Sequence, residues 1–301
     1  VLAALSIDLD SLRHYHRIHG MAEPAAGPDP VYRRAAERFG ELCARLRRRG
    51  TVFCIGEELS EPRATGAVRA LAEAGHEIGN HTWSHDYALT RRPAERIAEE
   101  VRRGAEAIER AVGRRPVGFR APGYTLSAAL LGALAAQGYR YDASAFPALP
   151  YHAAKAAVMA SLALLGRPSR AILDRPRVIL APTAPYRPRA DEPYAPGEMP
   201  LLELPVATGI LGFPVIGTTV ATVPPGLLRL LSGPARRRPL LDLELHGVDL
   251  LDASDVPAAL AAMQRDLRVP AALKIARLEA FIGSVEAEWV TLEEAAARLL
   301  G

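Results

Sequence analysis

The chain has 301 residues, 49% of them hydrophobic, and a formal net charge of only +3. That length and apolar content suit one large domain with a sizeable core. Lysine occurs only at positions 155 and 274, and no basic run is interleaved with aromatic residues, so a nucleic-acid partner is not expected.

The first apolar run ends in Ser6-Ile7-Asp8-Leu9-Asp10. Read as a strand over residues 2–8, it alternates its side chains and puts Asp8 and Asp10 on one face. Two neighbouring carboxylates repel, and burying them calls for a cation or strong donors. His14, His16 and His19 follow on a predicted loop over that strand end, with His14 a candidate substrate contact. Helices are then expected over residues 32–49, 61–74, 93–112 and 127–137, three of them running out at Gly50, Gly75 and Gly113 and the last at Gly138. Strands are expected over 51–55, 77–80, 117–120 and 140–143. This alternation predicts a parallel sheet of βα units and a closed or distorted barrel. Cys43 and Cys54 fall in the first helix and second strand as small core residues, a usage that suggests a reducing compartment.

Three stretches carry chemistry. His81 and His85, in Asn80-His81-Thr82-Trp83-Ser84-His85, stand four residues apart. On a helical turn both rings would share a face and could meet one cation, for which neutral imidazole is the commonest ligand. One of Asp8 and Asp10 would complete an Asp/His/His set and leave a coordination position open, with the other free as a base. Arg120, in Phe119-Arg120-Ala121-Pro122-Gly123-Tyr124, can hold a carboxylate ionised and aimed. Further on, Asp242, Glu244 and His246 alternate with Leu241, Leu243 and Leu245, so the polar trio faces one way.

Taken with Tyr141-Asp142-Ala143-Ser144 and Leu243-Glu244-Leu245-His246, these stretches resemble the polysaccharide deacetylase family (carbohydrate esterase family 4, the NodB-homology group), from about Ala4 to Gly247. The resemblance implies a distorted (β/α) barrel with fewer than eight parallel strands and a single catalytic domain over residues 1–301. It implies that Asp8 is the catalytic base and that Asp10, His81 and His85 are ligands of a divalent metal, Zn2+ being the expected one. It implies that Arg120 holds the base, that His246 protonates the leaving amine and that Asp142 orients His246. A backbone N–H of Gly123 or Tyr124 would hold the oxyanion. The first motif departs from the family in reading Asp-Leu-Asp rather than adjacent aspartates, and the usual D-x-x-x-W is absent.

An irregular apolar insertion occupies residues 150–235. Residues 153–165 read as an apolar helix, too short for the ~20 residues that span a bilayer. Residues 204–228 carry no charge but are repeatedly interrupted by proline and glycine, which argues against a membrane span. Core plus a buried hairpin is the expected role of both. The sharper alternative is an apolar surface that receives a lipid-linked sugar through peripheral membrane contact. With no secretory signal pattern visible after Val1, the expected location is cytoplasmic, the inner face of the membrane included. The expected function is metal-dependent hydrolysis of an N-acetyl or N-formyl group from an amino sugar, in a glycan or on a lipid carrier. Two alternatives stand beside it: a metal-dependent amidohydrolase for a small non-peptide amide, and a non-catalytic carbohydrate- or lipid-binding module.

Overall fold

A computed structural model describes residues 1–24 and 29–300. Its centre is β1 (Leu2–Asp8), flanked in parallel by β2 (Thr51–Cys54) and β7 (Leu240–His246). From β2 the sheet continues through β3 (Glu77–Asn80), β4 (Gly118–Phe119), β5 (Tyr141–Asp142) and β6 (Leu202–Glu203), every pair parallel. The two ends approach each other beyond β6, where Val206 bridges Asp242 and Ile216 bridges Glu244. Seven strands therefore curl into a distorted barrel of one domain, as expected. An eighth strand, β8 (Glu288–Val290), pairs with the first residues of β1 outside that path.

β1 is buried from Ala3 to Asp8 on both faces, which is why it reads as a continuous apolar run. Outside the strands lie α2 (Ala36–Leu46), α3 (Pro62–Glu73), α4 (Ala94–Val112) and α5 (Ala128–Ala136). α2 stops before Gly50 because Arg47 takes the left-handed conformation, φ 53°, and closes the helix itself. α1 (Leu12–Ile18) occupies the stretch expected to be a loop. Cys43 and Cys54 are buried and unpaired, and burial pushes the Cys43 thiol up to about 12.

The insertion divides in two. Residues 204–228 mostly join the core, with Leu204, Val206, Val215 and Val220 almost fully buried. α6 (Leu149–Leu164) does not: Leu162 is its one fully buried side chain, and Leu164 is 90% exposed. The expectation of a core helix fails here. With one charged residue among its sixteen, Lys155, α6 has no polar face to turn outward, so its composition carries no information about which side is covered. After it come α7 (Gly217–Thr222), α8 (Pro225–Leu231), α9 (Ala258–Met263), α10 (Ala271–Gly283) and α11 (Leu292–Leu300). No helix among the described residues is long and apolar enough to cross a membrane.

Candidate active site

Asp8 is the last residue of β1 and Asp10 lies two residues on, both buried. Oδ1 of Asp10 stands 3.3 Å from Nε2 of His81 and 3.3 Å from Nε2 of His85. The imidazoles do not meet on a helical turn. They lie in the loop after β3, and the chain is folded back there by two non-glycine residues with positive φ, Thr82 at 70° and His85 at 54°. Such conformations cost on the order of 1–3 kcal/mol each and persist only where the surroundings impose them. Here the Thr82 carbonyl accepts the Gly56 N–H, and the His85 N–H donates to Thr82 Oγ1. The Ser84 N–H and hydroxyl both donate to Glu100 Oε2 at 2.9 Å, from the inward face of α4. Gly104, one turn further along α4, lets the loop come this close: a Cβ there would lie 2.3 Å from Asn80 Oδ1.

This set of donors fits a metal. Among the described residues Asp10 Oδ1 and both ring nitrogens of His85 are buried with no hydrogen-bond partner, a costly arrangement unless something else satisfies them. His81 Nδ1 lies 2.7 Å from the Arg120 carbonyl, and donating there leaves its Nε2 lone pair toward Asp10. A separation of 3.3 Å matches the edge of a tetrahedron with bonds of ~2.1 Å, the usual zinc–nitrogen and zinc–oxygen length. Burial pulls His85 down to about 3, so it is the neutral imidazole a metal requires. Burial would raise Asp10, but the two histidines outweigh it and hold the carboxyl well below its ordinary range.

Beside this cluster, Arg120 is completely buried and all its nitrogens are used. Nη1 donates to Asp8 Oδ1 at 2.9 Å and to Ser6 Oγ, Nη2 to Asp242 Oδ2, and Nε to the Ala143 carbonyl. Burial pushes Asp8 up, and the guanidinium opposes that without cancelling it. The free oxygen of Asp8, Oδ2, is 3.9 Å from His81 Nε2.

His246 ends β7 opposite Asp8, its Nε2 3.9 Å from Asp10 Oδ2. The acid against its other nitrogen is Glu244, with Oε1 2.8 Å from Nδ1. Asp142 is not that acid. It sits on β5, takes the Ser144 hydroxyl at 2.7 Å, and packs beside Glu203. Since Ser144 Oγ in turn accepts the Ala121 N–H, Asp142 braces the Arg120–Pro122 turn instead. Alternation along one strand puts Glu244 and His246 on the same side, which a strand far round the barrel cannot match. Burial works against both charges of this pair. Glu244 is nevertheless held down by His246, and His246 is held well above its ordinary value by Glu244.

The turn after Arg120 carries two residues with positive φ, Gly123 at 65° and Tyr124 at 62°. The Tyr124 N–H already donates to the Ala121 carbonyl at 3.1 Å. From α6, Lys155 Nζ donates to the Gly123 carbonyl at 3.3 Å, and the Tyr151 ring stands edge-on to Tyr124. Burial pulls the Lys155 ammonium down to about 8. His14 is not a substrate contact. It is wholly buried in α1, its ring 4.3 Å from that of His85 and its Nε2 3.4 Å from Glu58. His16 and His19 are likewise turned inward, against the Ala22 carbonyl and Gln264.

Ser6, Asp242, Glu244, Glu100, Tyr151 and Lys155 thus join the site beyond the expected set. Ser6, Asp242 and Glu244 carried a signal, each lying two residues from another polar side chain on the same face of an alternating strand. Glu100, Tyr151 and Lys155 carried none, since tertiary approach alone brings them in.

A family model described as polysaccharide deacetylase matches residues 27–141, the span that holds His81, His85, Arg120 and Gly123. A curated peptidoglycan-N-acetylglucosamine deacetylase of Bacillus cereus is 31% identical over 114 residues, 38% of this chain. Over part of its length the chain is thus similar to polysaccharide deacetylases. It spans about half the length of the curated deacetylase it matches. The likeness in fold extends beyond that segment. A solved Mycobacterium smegmatis protein grouped with polysaccharide deacetylases superposes with a TM-score of 0.57 over 99% of this chain and 89% of that one, at 18% identity. Asp8, Asp10, Glu244 and His246 lie outside the matched segment, and the geometry of the barrel mouth is what joins them to it.

Proposed function

We propose that the chain is a metal-dependent hydrolase that removes an N-acetyl or N-formyl group from an amino sugar. The observation that carries this reading is the convergence of Asp10, His81 and His85 at 3.3 Å, with an arginine-held carboxylate on one side and a glutamate-held histidine on the other. Asp10, His81 and His85 would hold the ion, Zn2+ by the nitrogen and oxygen character of the set. Bound there, a divalent ion polarises the acyl carbonyl and makes water acidic enough to attack near neutral pH.

The chain's own residues would do the rest. Arg120 fixes Asp8 Oδ1, which leaves Oδ2 to take the proton of the attacking water. His246, kept protonated by Glu244, donates to the departing nitrogen, which an amide needs because an unprotonated amine leaves poorly. With the Tyr124 N–H committed to Ala121, the Gly123 N–H is the donor for the developing oxyanion. Tyr151, which is only partly buried, would give a sugar ring an apolar face at the mouth. The exposed apolar α6 that carries it also supports a lipid-linked amino sugar as the carrier form.

Release of acetate or formate from N-acyl amino sugars, measured on metal-loaded and chelator-treated protein, tests the proposal. Turnover that needs the metal supports it. Metal-loaded protein that releases neither acid from sugars but hydrolyses small amides would move the assignment to the amidohydrolase alternative. A protein that binds no metal and ignores chelator would be a binding module.

A further inference from the structure

We infer that α6, the turn Ile210–Gly212 and α8 together form a docking face for a bilayer that carries anionic headgroups. Binding there does not depend on the hydrolytic reading. The face begins with an anomaly in α6, a sixteen-residue helix with one charged residue and ten exposed side chains, Leu149, Val158 and Leu164 among them. Solvated helices turn a polar stripe outward, and contiguous apolar surface left in water marks an interaction site. Leu164 and Leu165, at its C-terminal tip, are 90% and 73% exposed. The Ile210–Gly212 turn packs against the other end of the helix, near Pro147 and Leu149, and itself exposes Leu211 at 90%. From Ile210 a groove of about 800 Å3 leads on to Leu230 of α8.

Charge decides what covers this face. Residues 149–173 and 204–241 contain no aspartate or glutamate. Exposed Arg167 and Arg170 follow the α6 tip, while exposed Arg229 and Arg237 line the groove, and none is in ion-pair reach of a carboxylate among the described residues. A second copy of the chain is a poor cover, because a twofold contact sets a patch against itself and would bring arginine to arginine. An anionic bilayer answers both halves of the surface: leucines enter the acyl boundary and guanidinium groups meet phosphate. Because α6 also sets Tyr151 and Lys155 against the Gly123–Tyr124 turn, the helix that would touch lipid also lines the mouth of the candidate site.

Co-sedimentation of the full chain with vesicles tests this. One set is phosphatidylcholine alone, and the other contains about 30% phosphatidylglycerol. Binding to the anionic vesicles is expected to be about tenfold or more tighter at ~50 mM salt and largely lost at ~500 mM, where the Debye length falls to about 4 Å. Leu164→Ser with Leu165→Ser, or Leu211→Ser alone, should weaken binding by about tenfold without changing thermal unfolding, since these side chains touch no core. Arg167→Glu with Arg170→Glu should cost about fivefold per charge and erase the preference for anionic lipid. The inference is overturned if the protein leaves both vesicle types in the supernatant, if the leucine variants bind as wild type does, or if the two vesicle types bind equally. It is also overturned if size-exclusion shows a dimer that Leu164→Ser with Leu165→Ser dissociates, because a second copy would then be the cover.

Discussion

Nδ1 of His246 lies 2.8 Å from Oε1 of Glu244, two residues earlier on the same face of β7. A histidine so placed has its positive form stabilised by the adjoining carboxylate, and its other nitrogen turns toward Asp10. If His246 is the acid for the leaving group, Glu244 works through it. Glu244→Gln is then expected to lower kcat on an N-acetyl substrate by about 100-fold or more, with KM and bound metal little changed. An aryl acetate ester, whose leaving group needs no proton, should lose less than about tenfold under the same substitution. Steady-state kinetics on both substrates make the comparison. Equal losses on amide and ester would remove the acid role from this pair.

The histidine loop allows a graded test of the metal set. His85→Ala deletes a candidate ligand and should lower metal affinity by more than about 100-fold while leaving circular dichroism unchanged, because the barrel core does not run through the loop. Glu100→Ala removes the acceptor that ties down Ser84, together with the Arg96 ion pair, and an outer support of this kind is worth about 10–100-fold. Titration with Zn2+ and metal analysis of the purified variants would rank the two. An affinity unchanged in His85→Ala would mean that the three side chains converge for some other reason.

Much of this arrangement was legible in the sequence, and the part that was not has a physical cause. Strand alternation is a strict period, so Asp8 with Asp10 and Glu244 with His246 could be grouped before any coordinates. The histidine pair converges by a different route from the helical turn that its spacing suggested: left-handed backbone at Thr82 and His85 does the work, and β-branched threonine gives no hint of that conformation. Asp142 was assigned to His246 only through family resemblance. The register of β5 between β4 and β6 aims it at Ser144 and Glu203 instead. α6 defeated the reading because a helix that is apolar all round looks the same whether it is buried in protein or meets a partner.

Gly104 offers a stability test that separates close approach from helix propensity. In α4 a Gly→Ala change alone should help by about 1 kcal/mol. Here the added methyl would stand 2.3 Å from Asn80 Oδ1 and 2.8 Å from the Thr82 carbonyl carbon. Overpacking of that kind costs ~1–3 kcal/mol, so a net loss is expected, with the histidine loop displaced and metal binding weakened. Gly132→Ala in α5 is the control, since nothing lies within 4 Å of its new methyl. Urea unfolding should show Gly132→Ala gaining up to about 1 kcal/mol and Gly104→Ala losing stability. Equal gains at both positions would mean that the loop does not rest on α4.

Away from the site, Glu77 on β3 gives a pH signature. Its carboxylate is fully enclosed, taking the hydroxyls of Tyr141 and Thr51 and the N–H of Glu293, and burial pushes it up to about 7 from an ordinary 4.5. A carboxyl whose folded value is raised binds more protons in the folded state than in the unfolded one. Its contribution is therefore complete below about pH 4.5 and is lost as pH rises through about 7. The span corresponds to about 3 kcal/mol. Glu77→Gln cannot titrate, so the stability of wild type relative to this variant should fall by about that amount across the window and stay flat above it. Paired denaturant titrations on either side of the window would show the difference. A relative stability that does not change with pH would mean that the three donors hold the carboxylate ionised throughout and that hydrogen bonding outweighs burial at this position.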